Sequence, residues 1–431
     1  MKFNLLRTTL LHATLLVSLP GAGAGTPDTP GTPGAPGAPV AAAGAETKPG
    51  TVPLLRPAPG SPVRCGSSPA DVAVLDVNGD RRPDLVVAAA AGVEVHLGDG
   101  AGGFMRAPAT STRAAAGASP SLVAAGDVDG DGTVDLALAS HDSHEVVVLR
   151  GDGLGGFRTA PGSPFAALAS GRPHNHGLAL ADVDGDRRLD ILTSNANDGS
   201  VTVLRGDGKG RFAALPGSPF RVGRSPYPMA LGDLDGDHRL DLVTPDINDG
   251  TLSVLLGSKE GFRAAPGSPI RVTARPYHLA LGDFDGDHDL DLAVTHDDTS
   301  LVSVLLGDGR GGFRPAPGSP FDAGRRGWEL AAGDLDGDGR ADLAIAAPGG
   351  IRALLGDGHG RFAPAPGSPY TAGRGVWRLA LADLNGDGAL DVVAPDGDGG
   401  TIDVLLGRGK GTSVSGSAGA RSRRRSAPDR P

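Results

Sequence analysis

A nine-residue pattern, Asp-x-Asx-Gly-Asp-x-x-x-Asp, recurs seven times in this chain and constrains its fold more than any other feature. The first-position acids are Asp76, Asp127, Asp182, Asp233, Asp283, Asp334 and Asp383, spaced 51, 55, 51, 50, 51 and 49 residues apart. A period of this size marks one supersecondary unit copied in tandem, not a string of independent domains.

Each unit has the same internal order, which the fourth displays. Met229–Gly232 leads into the acidic loop, Leu242-Val-Thr follows, and Asn248-Asp249-Gly250 reverses the chain. Leu252–Leu256, a Gly-containing turn and a segment opened by Phe262 complete the unit. Four short aliphatic runs separated by Asx/Gly turns predict a four-stranded antiparallel meander, each run being too short for a helix. Seven such meanders predict an all-β fold, a seven-bladed β-propeller, in which radial repetition protects the sheet edges. A Pro-Gly-Ser-Pro signature begins at Pro161, Pro216, Pro266, Pro317 and Pro366, and also at Pro59, ahead of the first acidic loop. No outer strand follows Ile402–Leu406, so Leu54–Val63 is expected to complete the last blade and close the ring.

Side chains at positions 1, 3, 5 and 9 of the loop, with the carbonyl at 7, form an oxygen-only donor set. Hard oxygen ligands without His or Cys suit Ca²⁺ better than zinc or another transition metal. The expected ligands are Asp76, Asn78, Asp80 and Asp84; Asp127, Asp129, Asp131 and Asp135; and Asp182, Asp184, Asp186 and Asp190. They continue as Asp233, Asp235, Asp237 and Asp241; Asp283, Asp285, Asp287 and Asp291; Asp334, Asp336, Asp338 and Asp342; and Asp383, Asn385, Asp387 and Asp391. An EF-hand is disfavoured, because its loop ends in Glu at position 12 between two helices. Up to seven Ca²⁺ are expected, relieving repulsion among clustered carboxylates. Position 6 is Gly132, Gly339 and Gly388 in three loops, where a left-handed backbone is easiest for glycine. Arg187, His238 and His288 stand there in others and are expected to weaken them, as are Asn78, Arg81 and Pro83 in the first.

With 70 Gly and 36 Pro among 431 residues, disorder has to be considered, yet 39% of the chain is apolar and regularly spaced. A formal charge of −10 argues against nucleic-acid binding, and a single cysteine excludes an intrachain disulfide framework. Residues 1–24 read as an export leader: Lys2 and Arg7, an apolar run from Thr8 to Leu19, and a small-residue site at Ala22-Gly23-Ala24. Residues 25–53 read as a Pro/Gly-rich linker and 412–431 as a basic tail suited to an anionic envelope. No later segment has the length and apolarity of a transmembrane helix.

The seven Asp loops and the Gly-Phe turns between Leu54 and Gly411 resemble the FG-GAP/VCBS repeat proteins, whose propeller is also that of the integrin α-subunit head. No blade carries a literal Phe-Gly followed by Gly-Ala-Pro, and the Gly-Ala-Pro at Gly34 lies in the linker, so the chain is more similar to the bacterial VCBS type. The resemblance implies a propeller whose loops between first and second strands bind calcium. It covers adhesins, lectin-like binders and enzyme-associated modules.

Aromatic residues are scarce, so their placement is informative. Phe104, Phe157, Phe212, Phe262, Phe313 and Phe362 recur at the start of the last strand and read as packing between blades. Six residues before each first Asp stand Ala70, Ser121, His176, Tyr227, Tyr277, Trp328 and Trp377. His176, Tyr227, Tyr277, Trp328 and Trp377 should therefore ring the axis on the face opposite the acidic loops, as packing or as a ligand platform. Asn197, Asp198, Asn248, Asp249, Asp297 and Asp298 are expected around them. Flat rings beside carboxylates and amides suit a sugar or a cationic side chain. Arg150-Gly151-Asp152 and Arg205-Gly206-Asp207 occupy turns that read Leu-Gly-Asp elsewhere, so turn geometry accounts for them. Together these features predict a secreted or envelope-associated, calcium-binding module for an extracellular glycan or protein, without nucleic acid and without assigned catalytic residues. A polysaccharide-acting enzyme using Asp198 or Asp298, an enzyme-associated module and a structural envelope component are the alternatives.

Overall fold

The computed structural model describes residues 52–107, 119–167 and 174–408. The expected leader (1–24), nearly all of the linker (25–53) and the tail (412–431) lie outside them. Every regular element among the described residues is a β-strand, and none of them forms a helix able to cross a membrane.

The strands form seven antiparallel sheets, one per repeat. In the fifth, the inner strand Pro276–Gly282 pairs with Asp291–His296, which pairs with Leu301–Gly307. The second strands are buried on both faces, which explains continuous aliphatic runs such as Leu85-Val-Val-Ala-Ala in place of alternation.

The outer strand is not one element but two short pieces. In the fifth blade they are Phe313–Pro315 and Phe321–Asp322, both paired with Leu301–Gly307. The break falls at Pro-Gly-Ser-Pro, whose prolines have no N–H to continue the ladder. Serine repairs it: the Ser319 hydroxyl accepts the Val304 amide (2.9 Å). Ser61, Ser163, Ser218, Ser268 and Ser368 do the same for Val404, Val148, Val203, Val254 and Ala353.

The first and last strands of the described residues meet in the seventh sheet. Arg56 and Pro57 pair with Leu406 and Leu405, and Val63 and Arg64 with Ile402 and Thr401. Seven hydrophobic clusters each join two neighbouring blades. One of them packs Val72, Val74, Leu85 and Val87 of the first blade against Val393, Val404 and Leu406 of the last, so the ring has no free sheet face. Phe165 meets Phe212, Phe220 meets Phe262, and Phe321 meets Phe362 edge to face, with centroids 5.2, 5.5 and 5.6 Å apart, bridging successive blades.

Candidate functional site

Each acidic loop joins the inner strand to the second strand, and its position 9 is that strand's first residue. Asp84, Asp135, Asp190, Asp241, Asp291, Asp342 and Asp391 are at most 1% exposed. Asp135 shows their common role: Oδ2 accepts the Val128 amide (3.0 Å) and Oδ1 the Gly151 amide (2.8 Å) of the third strand. Burial nevertheless pushes the carboxyls of Asp135, Asp190, Asp241, Asp342 and Asp391 up to about 6 and that of Asp291 up to about 7.

Carboxylate oxygens of positions 1, 3 and 9 converge within 4.8 Å in Asp127/Asp129/Asp135, Asp182/Asp184/Asp190 and Asp233/Asp235/Asp241. Position 5 is turned differently, Asp131 Oδ1 accepting the amide of Thr133 (2.8 Å). Position 6 is left-handed in every loop, with φ of 67, 65, 66 and 74° at Arg81, Arg187, His238 and His288. Two features fit a hard cation. Asp285 Oδ1 is buried without a hydrogen-bond partner, and the donors are all oxygen.

The five ring residues singled out from the sequence form one continuous arc. His176 stacks on Tyr227 (3.8 Å between centroids), Tyr227 meets Tyr277 (5.0 Å), Tyr277 meets Trp328 (5.5 Å), and Trp328 stacks on Trp377 (4.3 Å). Register shifts in the inner strands between Asn175 and Gly177 and between Pro276 and Leu279 mark where His176 and Tyr277 leave the regular ladder. Trp328 is 8% exposed and lies under the Arg326 guanidinium (3.9 Å), whereas Trp377 is 50% exposed.

The arc is open where the first and second blades carry Ala70 and Ser121. A cavity of about 460 Å³ occupies that gap, lined by Trp377, Tyr277, His141, His176, Arg378 and Asp398 among others. Beneath it runs an axial channel of about 1380 Å³, walled by inner-strand residues such as Leu122, Leu178, Leu279 and Leu379. Arg378 lines both. Its side chain, 21% exposed, faces Asp71 Oδ1 of the first blade (3.9 Å) and Glu329 Oε2 of the sixth (3.3 Å).

Sequence reasoning missed this charged crossing. Asp71, His278, Glu329 and Arg378 each follow directly on a ring-position residue, and charge in otherwise apolar inner strands was the available signal. It also missed His141, His174 and Asp398. Of the turn residues expected around the rings, Asp297 pairs with Arg275 (3.3 Å) and with Arg326, and Asp249 with Arg224 (2.6 Å). Neither Asp198 nor Asp298 lines the cavity.

Desolvation, together with His174 and His141, pushes the His176 imidazole down to about 3, and His174 is likewise lowered, chiefly by burial. At the seam of the seventh and first blades, Cys65 Sγ lies 4.0 Å from His96 Nε2, itself 3.6 Å from Glu94 Oε2. Burial and Glu94 push that thiol up to about 12, so it stays protonated.

Comparison with known families finds the FG-GAP-like repeat at residues 76–138, 127–193, 182–244, 283–345 and 334–394. Comparison with curated proteins found no match. Among solved structures, BBS1N in complex with ARL6DN is similar, at 14% identity and a TM-score of 0.56, covering 83% of this chain and 98% of that one. An Agrocybe aegerita lectin that recognises non-reducing terminal N-acetylglucosamine is 19% identical, with a TM-score of 0.49, covering 78% of this chain and 93% of that one.

Proposed function

This chain belongs to the FG-GAP-like repeat family, and from that premise we propose that it is a secreted, calcium-stabilised module that binds a saccharide at the gap in its aromatic arc. The observation that carries this reading is the cavity of about 460 Å³ beside a half-exposed Trp377. That volume lies within the usual range of small-molecule sites. An exposed indole offers a flat apolar surface for one face of a sugar ring. Ser68, Ser121, Asn175, Arg378 and Asp398 supply donors and acceptors for hydroxyls around it. The leader-like residues 1–24 support export.

Calcium at the acidic loops would neutralise carboxylates that otherwise repel one another. Positions 1, 3 and 9 of each loop are the residues proposed to hold it; position 5, which caps an amide of its own turn, would join the shell only by rotating away from that amide. The buried position-9 carboxylate already ties the loop to the third strand through two backbone amides, so fixing it fixes the blade's inner edge.

A glycan array tests the ligand reading, with Trp377→Ala as the variant. Trp377 alone is chosen because Trp328 is buried and its loss would disturb the fold. Binding of a saccharide class that Trp377→Ala abolishes without changing the melting temperature supports the proposal. Saccharide binding unaffected by that substitution, or binding only to protein partners, overturns it.

A further inference from the structure

Three imidazoles converge beside the cavity from two different blades, and we infer that His141, His174 and His176 form a site for a divalent transition metal of the zinc class. One ring nitrogen from each lies within 4.8 Å of the others. Nitrogens bound at the usual 2.0–2.1 Å to one tetrahedral ion are about 3.4 Å apart, so small side-chain rotations close the set. Ring centroids are separated by 4.3 Å (His141–His174), 4.4 Å (His174–His176) and 5.0 Å (His141–His176).

The surroundings match what metal-bound imidazoles require. His141 Nδ1 donates to Asp142 Oδ1 (2.7 Å), which fixes the ring and leaves Nε2 as the donor to an ion. His176 Nε2 is shut off from solvent and has no hydrogen-bond partner, a cost that a bound ion would remove. The backbone holds the two blades in register at this point. Asn175 N donates to His141 O (3.1 Å) and Asn175 Nδ2 to Ser143 O (2.7 Å), while within the second blade the His141 amide donates to Ser121 Oγ (2.9 Å). Histidines 141 and 176 line the cavity, so a three-imidazole site would have its remaining coordination position within reach of solvent or a ligand. Imidazole donors select this class of metal and the all-oxygen loops select calcium, so the two kinds of site do not compete.

The inference is independent of the saccharide reading and is tested with the metal alone. The full chain, in excess calcium to occupy the acidic loops, is titrated with Zn²⁺ and with Co²⁺. One equivalent is expected, with visible Co²⁺ bands of a nitrogen/oxygen donor set and no thiolate charge-transfer band. That band would report the Cys65–His96–Glu94 group instead. His176→Ala should weaken zinc at least 100-fold. Asp142→Asn, which leaves all three imidazoles in place, should weaken it about 10-fold with an unchanged melting curve. Absence of uptake, a sulfur band, or wild-type affinity in Asp142→Asn and His176→Ala would each overturn the inference. Should His176→Ala fail to fold, the wild-type cobalt spectrum and Asp142→Asn decide.

Discussion

Arg150 Nε lies 3.0 Å from Asp129 Oδ2, so the arginine of an Arg-Gly-Asp turn is engaged by the acidic loop of its own blade. Arg205 repeats the contact on Asp184 and Asp186, at 2.8 Å each. Asp152 meanwhile caps its own turn, accepting the amides of Leu154 and Gly156 (2.8 Å each). The other blades carry leucine where these arginines stand. The second loop has a full acid set, yet Arg150 holds a cation where a metal would attract the same carboxylate. Replacing Arg150 by Leu should therefore raise calcium affinity at the second loop two- to five-fold, equivalent to about 0.4–1 kcal/mol. Calorimetric titration checks this, and an unchanged or weaker site would contradict it.

Chelation should lower the melting temperature by on the order of 10 °C and calcium should restore it, because several weak sites each add a few tenths to about 1.5 kcal/mol by mass action. Scanning calorimetry with and without chelator is the measurement. A transition indifferent to calcium would refute metal at the loops.

Position 6 allows a purely conformational test. Gly132 is left-handed (φ 86°) with nothing near the Cβ an alanine would add, so Gly132→Ala should cost about 1 kcal/mol through backbone strain alone. The exposed Arg187, at φ 65°, should behave conversely, with Arg187→Gly stabilising by about 0.5 kcal/mol. Denaturant midpoints of the two variants should move in opposite directions.

Asp246 is wholly buried, where Thr251 and Ser253 hydroxyls donate to Oδ2 (3.1 and 2.7 Å). Burial pushes its carboxyl up to about 7. A raised carboxyl favours the protonated folded state, so its contribution is complete below about pH 4, the unfolded value, and is lost as pH rises towards 7. Asp246→Asn should flatten that part of the stability profile and make the protein more stable than wild type by about 1–2 kcal/mol at pH 8. Urea titrations at pH 4.5 and 8 would show it, and parallel profiles would count against it.

The two tryptophans should separate cleanly. Trp328→Ala should destabilise the ring by about 3–5 kcal/mol, as expected for a buried aromatic. Trp377→Ala, at half exposure, should leave the unfolding midpoint within about 1 kcal/mol of wild type. Equal losses in both would mean that the arc is packing throughout.

Much of this was legible in the sequence because the repeat samples the same physical problem seven times. Left-handed position 6, Phe at each outer-strand start and a ring at a fixed offset from Asp all express local geometry or strand alternation, which a period of about fifty residues repeats in register. The split of the outer strand was not legible in that way. Pro-Gly-Ser-Pro announces a turn, but that the serine hydroxyl receives Val304 N depends on the partner strand's register. Nor could the sequence say that position 5 faces its own turn, since the same carboxylate can cap an amide or ligate a cation.

By itself, then, the chain determined its blades: the period, the strand count, the acidic loops and the closure segment are consequences of local pattern and of the need to cover sheet edges. Only the tertiary structure decided what those blades hold between them. The gap beside Ala70 and Ser121, the Arg378 contacts with Asp71 and Glu329, and the meeting of His141 with His174 and His176 join residues from different repeats. Their separations are fixed by how blades pack around an axis, and no spacing along one chain encodes that distance.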